Sequence, residues 1–162
     1  MTLELKMTLA EALVERKGLK KQLEDLENRL CLNVQVQEGS TPAETPQALL
    51  AQIDAAVADL EHLIAAINRT NLATPLPGEE GWSLMEAIVR RDMLTLRHNT
   101  LERAIYAARA VHQRVVVSRS EVRAVVTVDV AAMQKEIDAL AKEIRALDLR
   151  LQAANWSVQL AA

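Results

Sequence analysis

Met133-Gln-Lys-Glu-Ile137-Asp-Ala-Leu140-Ala-Lys-Glu-Ile144-Arg-Ala-Leu147-Asp-Leu-Arg-Leu151 decides the fold class. Its seam residues recur at alternating steps of four and three, and charged residues fill most of the other positions. That spacing puts one aliphatic seam along an α-helix, the pattern by which two helices pack side by side. Asp129 precedes the seam and suits the helix N-cap, where a short acceptor side chain binds a free backbone N–H. Asn155-Trp156-Ser157-Val158 closes the segment.

Three more segments follow the same rule. The first starts at Thr8, with Glu11 three residues on, a capping box in which each side chain serves an unpaired N–H. Its seam runs Leu9, Ala12, Arg16, Leu19, Leu23, Leu26 and Leu30, near which the helix should end. The second starts at Thr45-Pro46 and runs Leu49, Ile53, Ala56, Leu60, Leu63 and Ile67 to about Asn71. The third opens on a second capping box, Ser83 and Glu86, and carries Leu84, Ala87, Leu94, Leu101, Ile105 and Ala108, with Arg91 and His98 interrupting. It should fade near His112.

Two stretches read as β structure. Leu32 to Gln37 alternates apolar and polar residues, the period of a half-buried strand. Val115-Val116-Val117 and Val122 to Val128 are rich in β-branched residues and flank a turn at Ser118 to Glu121. The expected fold is therefore mainly α: long antiparallel helical hairpins, four-helix and coiled-coil-like, with a small antiparallel β element. A single domain over 1–162 is expected, with halves at about 8–71 and 83–158 joined by a loop at 72–82.

The halves resemble each other. Thr8-Leu-Ala-Glu-Ala-Leu-Val-Glu-Arg16 lies over Ser83-Leu-Met-Glu-Ala-Ile-Val-Arg-Arg91, and Ile53-Asp54-Ala55 over Ile137-Asp138-Ala139, with Asn71 over Asn155. This agrees with an internal duplication, although Leu/Glu-rich helices also share a general likeness.

Composition limits the function. Half of the 162 residues are hydrophobic, yet only 2% are aromatic: Trp82, Tyr106 and Trp156. Leu, Ile, Val and Ala must fill the core, which suits narrow helical hairpins. The net charge of −3 offers no basic footprint for nucleic acid. The small basic group Arg114, Arg119 and Arg123 reads as a solvated edge that discourages aggregation. Cys31 is the lone cysteine and is expected as a small buried hydrophobe in a reducing compartment. Met1 to Leu9 lacks the apolar core of a secretory signal, and no apolar run is long enough to span a membrane, so a cytoplasmic protein without membrane contact is expected.

No phosphate-binding loop, dinucleotide fingerprint, paired-histidine zinc motif or paired-cysteine motif is present. Catalytic residues, cofactor and metal are all expected to be none. His98 and Glu102, one turn apart, fit a hydrogen-bonded histidine better than a metal site. The notable polar group is Asn68, Arg69 and Asn71 at the end of the second helix, with Arg16 placed within about two turns of it by the antiparallel hairpin geometry and, by the repeat, Arg91 placed similarly near Asn155 and Trp156. Helix capping and ion pairing account for it structurally. A small-ligand or anion pocket, or an enzyme site, is the functional alternative.

Val36-Gln37-Glu38-Gly39, Ile67-Asn68-Arg69-Thr70-Asn71, Arg90-Arg91-Asp92, Ser118-Arg119-Ser120-Glu121 and Ala154-Asn155-Trp156 together resemble the septicolysin-like family of small bacterial proteins, over Met7 to Val158. The family has no assigned catalytic residues to carry over. Its name implies a cytolysin, but the chain has no long amphipathic strands for a pore. The expectation is a self-assembling helical scaffold or protein-interaction protein, as a homo-oligomer or with another protein partner.

Overall fold

The computed structural model describes residues 7–78, 81–115 and 125–161. They form four helices: α1 Leu9–Asn33, α2 Pro46–Ala73, α3 Leu84–Val115 and α4 Val130–Ser157. Both capping boxes form with the same geometry. Thr8 N and Oγ1 donate to Glu11 Oε2 at 2.7 and 2.8 Å, and Ser83 N and Oγ donate to Glu86 Oε2 at 2.7 and 2.8 Å. Asp129 caps α4 by accepting from Ala132 N at 2.9 Å.

The chain divides into two compact units: Met1–Pro75 with Gln152–Ala162, and Leu76–Leu151. In the first, α1 and α2 form an antiparallel hairpin. Leu26, Leu49 and Ala56 are buried there, with Leu23, Leu30 and Ile53 packed against them. In the second, Arg90 pairs with Glu143 and Arg97 with Glu136. Numbers rise along α3 as they fall along α4, so this hairpin is also antiparallel. Leu84, Ala87, Leu94, Ile105 and Ala108 of α3 and Ile137, Leu140, Leu147 and Leu151 of α4 are buried, as the seams require.

The strand expected over 32–37 does not form. α1 runs through Leu32 and Asn33, and Val34 is still in the right-handed helical region. Leu32, Val34 and Val36 are 80%, 61% and 49% exposed, so the alternation buries no face and has nothing to pair with. Side chains close this loop instead. Asn33 Nδ2 donates to Arg29 O, Asn33 Oδ1 accepts from Glu44 N, and Arg29 pairs with Glu44. Of the second β stretch, 116–124, including Arg119 and Arg123, lies outside the described residues. Arg114 and Val115 are helical, and 125–128 is not a strand. A β-branched residue costs a helix only about 0.5 kcal/mol, a penalty small enough for tertiary packing to override. Among the described residues the protein is thus all-α, with two hairpins and an isolated bridge between Thr8 and Gln159.

Cys31 is exposed, not buried. Leu26 and Leu30 set the inward face, and the next residue turns roughly 100° away from it.

Candidate functional site

The residue string Asn68-Arg69-Thr70-Asn71 divides between two faces. Successive helical residues point about 100° apart, so four in a row cannot converge on one pocket. The α2 seam runs on past Ile67 and turns Thr70 and Asn71 inward, 2% and 7% exposed, while Asn68 and Arg69 face solvent. Thr70 is fully used: its Oγ1 donates to Ala66 O at 2.8 Å and accepts from Ala161 N at 2.9 Å. Asn71 Oδ1 is buried with no hydrogen-bond partner among the described residues. Such an acceptor costs about 1–3 kcal/mol.

Thr70 belongs to a backbone clasp. In the first unit Leu9 N donates to Val158 O at 2.9 Å and Leu160 N to Met7 O at 2.8 Å. In the second unit Leu76 N donates to Trp82 O at 2.7 Å. Trp82 corresponds to Met7 at the offset that maps Thr8 onto Ser83. Leu76 corresponds to Leu160 at the offset that maps Asn71 onto Asn155. In each unit the chain after one helix is therefore fixed to the chain before another by the same bond.

Arg91 lies half-buried on the α3 seam. Its Nη2 is 2.7 Å from Asp92 Oδ1 and its Nη1 is 3.5 Å from Asp148 Oδ1. Arg16 occupies the matching place on α1 and is also half-buried, but it has no ion pair or hydrogen bond among the described residues. The reason is in the sequence: Lys17 stands where Asp92 would, and Ile64 where Asp148 would. Asn155 is half-buried and Trp156 is 70% exposed. Asn68, Arg69, Asn71, Asn155 and Trp156 fall in the first unit, and Arg91 in the second.

His98 Nδ1 lies 3.7 Å from Glu102 Oε2. No group of three or more His, Cys, Asp or Glu that could hold a metal occurs among the described residues. A feature that sequence reasoning missed is an open cavity of about 290 Å³, lined by Glu102, Ile105, Tyr106, Arg109, Gln134 and Ile137. Tyr106, the one residue of Phe, Tyr or Trp type on α3, is its one sequence signal. No helix among the described residues is long and apolar enough to cross a membrane.

Three carboxylates have a clear electrostatic setting. Glu11 is held below the usual carboxylate range by hydrogen bonds from the Thr8 backbone and side chain, and Glu86 by those from Ser83. Glu44 is lowered by its hydrogen bonds from Arg29.

The chain is similar to a solved structure, a functionally unknown conserved protein from Corynebacterium diphtheriae. Identity is 33% and the TM-score 0.88, over 96% of this chain and 99% of that one. No curated protein matches. None of these matches carries the septicolysin name, which they do not support; the family is the one whose model matches the chain. The model of that family aligns with residues 16–160, nearly the whole sequence, and the chain belongs to it: DUF6847, a family of unknown function.

Proposed function

We propose that the chain is a helical interaction protein, built from a duplicated hairpin unit, that self-associates through the outer face of α3. One observation carries this reading. Val89, Met93 and Leu96 are 52%, 53% and 61% exposed, spaced by four and three. They sit about half a turn round the helix from the buried seam of Leu84, Ala87 and Leu94. A second apolar stripe at coiled-coil spacing is a surface awaiting a helix. The matching positions of α1 are Val14, Gly18 and Lys21, so the stripe is particular to α3.

Charge favours a second copy as the occupant. Asp92 and Arg97 flank the stripe at the two positions through which parallel helices exchange salt bridges. Within the chain they pair with Arg91 and Glu136, and the side chains of Asp92 and Arg97 are 53% and 65% exposed. Exposed pairs are worth about 0–1 kcal/mol, so exchanging partners costs little. A three-residue stripe is short, and the dimer is expected to be weak. Light scattering over a concentration series should show a rising mass, and Met93→Lys should hold the protein monomeric with unchanged helicity. A wild-type monomer at every concentration overturns the reading.

A second reading rests on Arg16. A half-buried guanidinium without a counter-charge suits an anion, and inorganic phosphate is the simplest probe. Titration followed at the backbone amide NMR signals of the residues flanking Arg16 on α1 should show saturable shifts that Arg16→Met abolishes. Their absence removes the reading, and with it the small-ligand role for Asn68, Arg69 and Asn71.

A further inference from the structure

We propose that the cavity between α3 and α4 binds a short peptide with both termini free, held by its two charged ends. The floor is aliphatic: Ile105 is 3% and Ile137 6% exposed. The α3 wall carries opposite charges at its two ends, Glu102 and Arg109. They stand seven residues apart, about 10.5 Å along the axis at about 1.5 Å per residue. Three extended residues span a similar length, at about 3.3–3.6 Å each. An α-amino acid, whose two charges sit on adjacent groups, reaches only one of them.

The remaining lining fits a peptide backbone and one apolar side chain. Tyr106, between the two charges, exposes 77% of its surface. Gln134 Nε2 donates to Asp138 Oδ1 at 3.2 Å, which leaves Gln134 Oε1 to accept from a peptide N–H. Glu102 is 57% exposed at its side chain, and its one ion pair among the described residues is the 3.7 Å contact with His98. Arg109 is exposed and has no ion pair or hydrogen bond among the described residues, so its charge is open to a carboxylate. The cavity volume of about 290 Å³ lies just below the range of drug-sized ligand pockets and suits a small, partly exposed peptide. The peptide amine meets Glu102, its carboxylate meets Arg109, and the central side chain rests on Ile105 and Ile137.

The test uses the full chain, as wild type and as Met93→Lys, so that a failed dimer and a failed peptide site give different results. Ala-Leu-Ala with free ends is titrated while the backbone amide signals of Ile105, Tyr106 and Ile137 are followed by NMR. Saturable shifts at those positions are expected in both proteins. N-acetylation or C-amidation of the peptide should each weaken binding up to about fivefold, the upper value of an exposed ion pair. Glu102→Gln should erase the penalty for N-acetylation, and Arg109→Gln the penalty for C-amidation. Both are surface changes, and circular dichroism checks that the helices remain. No saturable shift overturns the proposal. So does equal affinity for the doubly blocked peptide, which would make the cavity merely an apolar surface.

Discussion

The beginnings of α1 and α3 are nearly the same object. Each opens on a capping box with the same hydrogen bonds, buries a Leu and then an Ala, and is fixed by a matching backbone bond. Beyond the first two turns they diverge. α3 gives its seam arginine two carboxylates and adds an apolar stripe on its outer face. α1 leaves Arg16 without a counter-charge among the described residues and has Gly18 and Lys21 where α3 has Met93 and Leu96. What the two share is the hardware of folding. What differs is surface and charge, which is where a binding role would be written.

The largest expected effect tests the shared part. Leu9 is 1% and Leu84 0% exposed. Leu9→Ala and Leu84→Ala should each cost about 2–5 kcal/mol in urea unfolding, from lost burial and the cavity left behind. If the two beginnings are equivalent, the costs should agree to within about 1 kcal/mol. A markedly smaller loss at either site breaks the equivalence.

Asn71 and Asn155 sharpen it next. Asn71→Leu removes an orphaned acceptor at a buried site of similar size, and should raise stability by about 1–2 kcal/mol. Asn155→Leu, at a half-buried position, should change it by less than about 0.5 kcal/mol. A loss at Asn71 would mean that its Oδ1 is satisfied in solution.

Arg16 and Arg91 come third. Arg91→Met leaves Asp148 without a partner and should cost about 0.5–1 kcal/mol, discounted because the arginine side chain is 32% exposed. Arg16→Met keeps the aliphatic stem and removes a charge with no partner, so stability should stay level or rise slightly. Equal losses at both sites would show that Arg16 is paired in solution.

The helices were legible because their signals are local and redundant. At Thr8 and Ser83 the cap, the partner glutamate and the first seam residues all agree. The strand at Leu32–Gln37 was misread for the opposite reason. Alternation is only half of a strand, and the other half is a neighbour to pair with, which six residues of sequence do not specify. The candidate site was partly legible. The string at Asn68 did mark an unusual helix end, but reading it as one cluster ignored the rotation between neighbours. The role of Thr70 depends on Ala161, far away in sequence, and the cavity depends on α3 meeting α4. Neither could be found from spacing along one segment.

The last comparison concerns the two capping boxes under acid. In each, a glutamate accepts from the hydroxyl and backbone N–H three residues earlier, so folding favours the ionised carboxylate and lowers its pKa below about 4.5. A group whose pKa is depressed in the folded state adds stability that is fully present above the unfolded value. That stability is lost as pH falls through the folded one. Stability should therefore decline below about pH 4.5, with Glu11 and Glu86 contributing alike because their hydrogen-bond lengths match. Carboxyl NMR titration should give the two similar pKa values. Thr8→Ala should raise that of Glu11 alone and Ser83→Ala that of Glu86 alone, each costing about 1 kcal/mol near neutral pH, the usual value of an N-cap. Glu11 and Glu86 titrating far apart would mean that the boxes differ in solution, and the likeness of the two helix starts would then end at sequence.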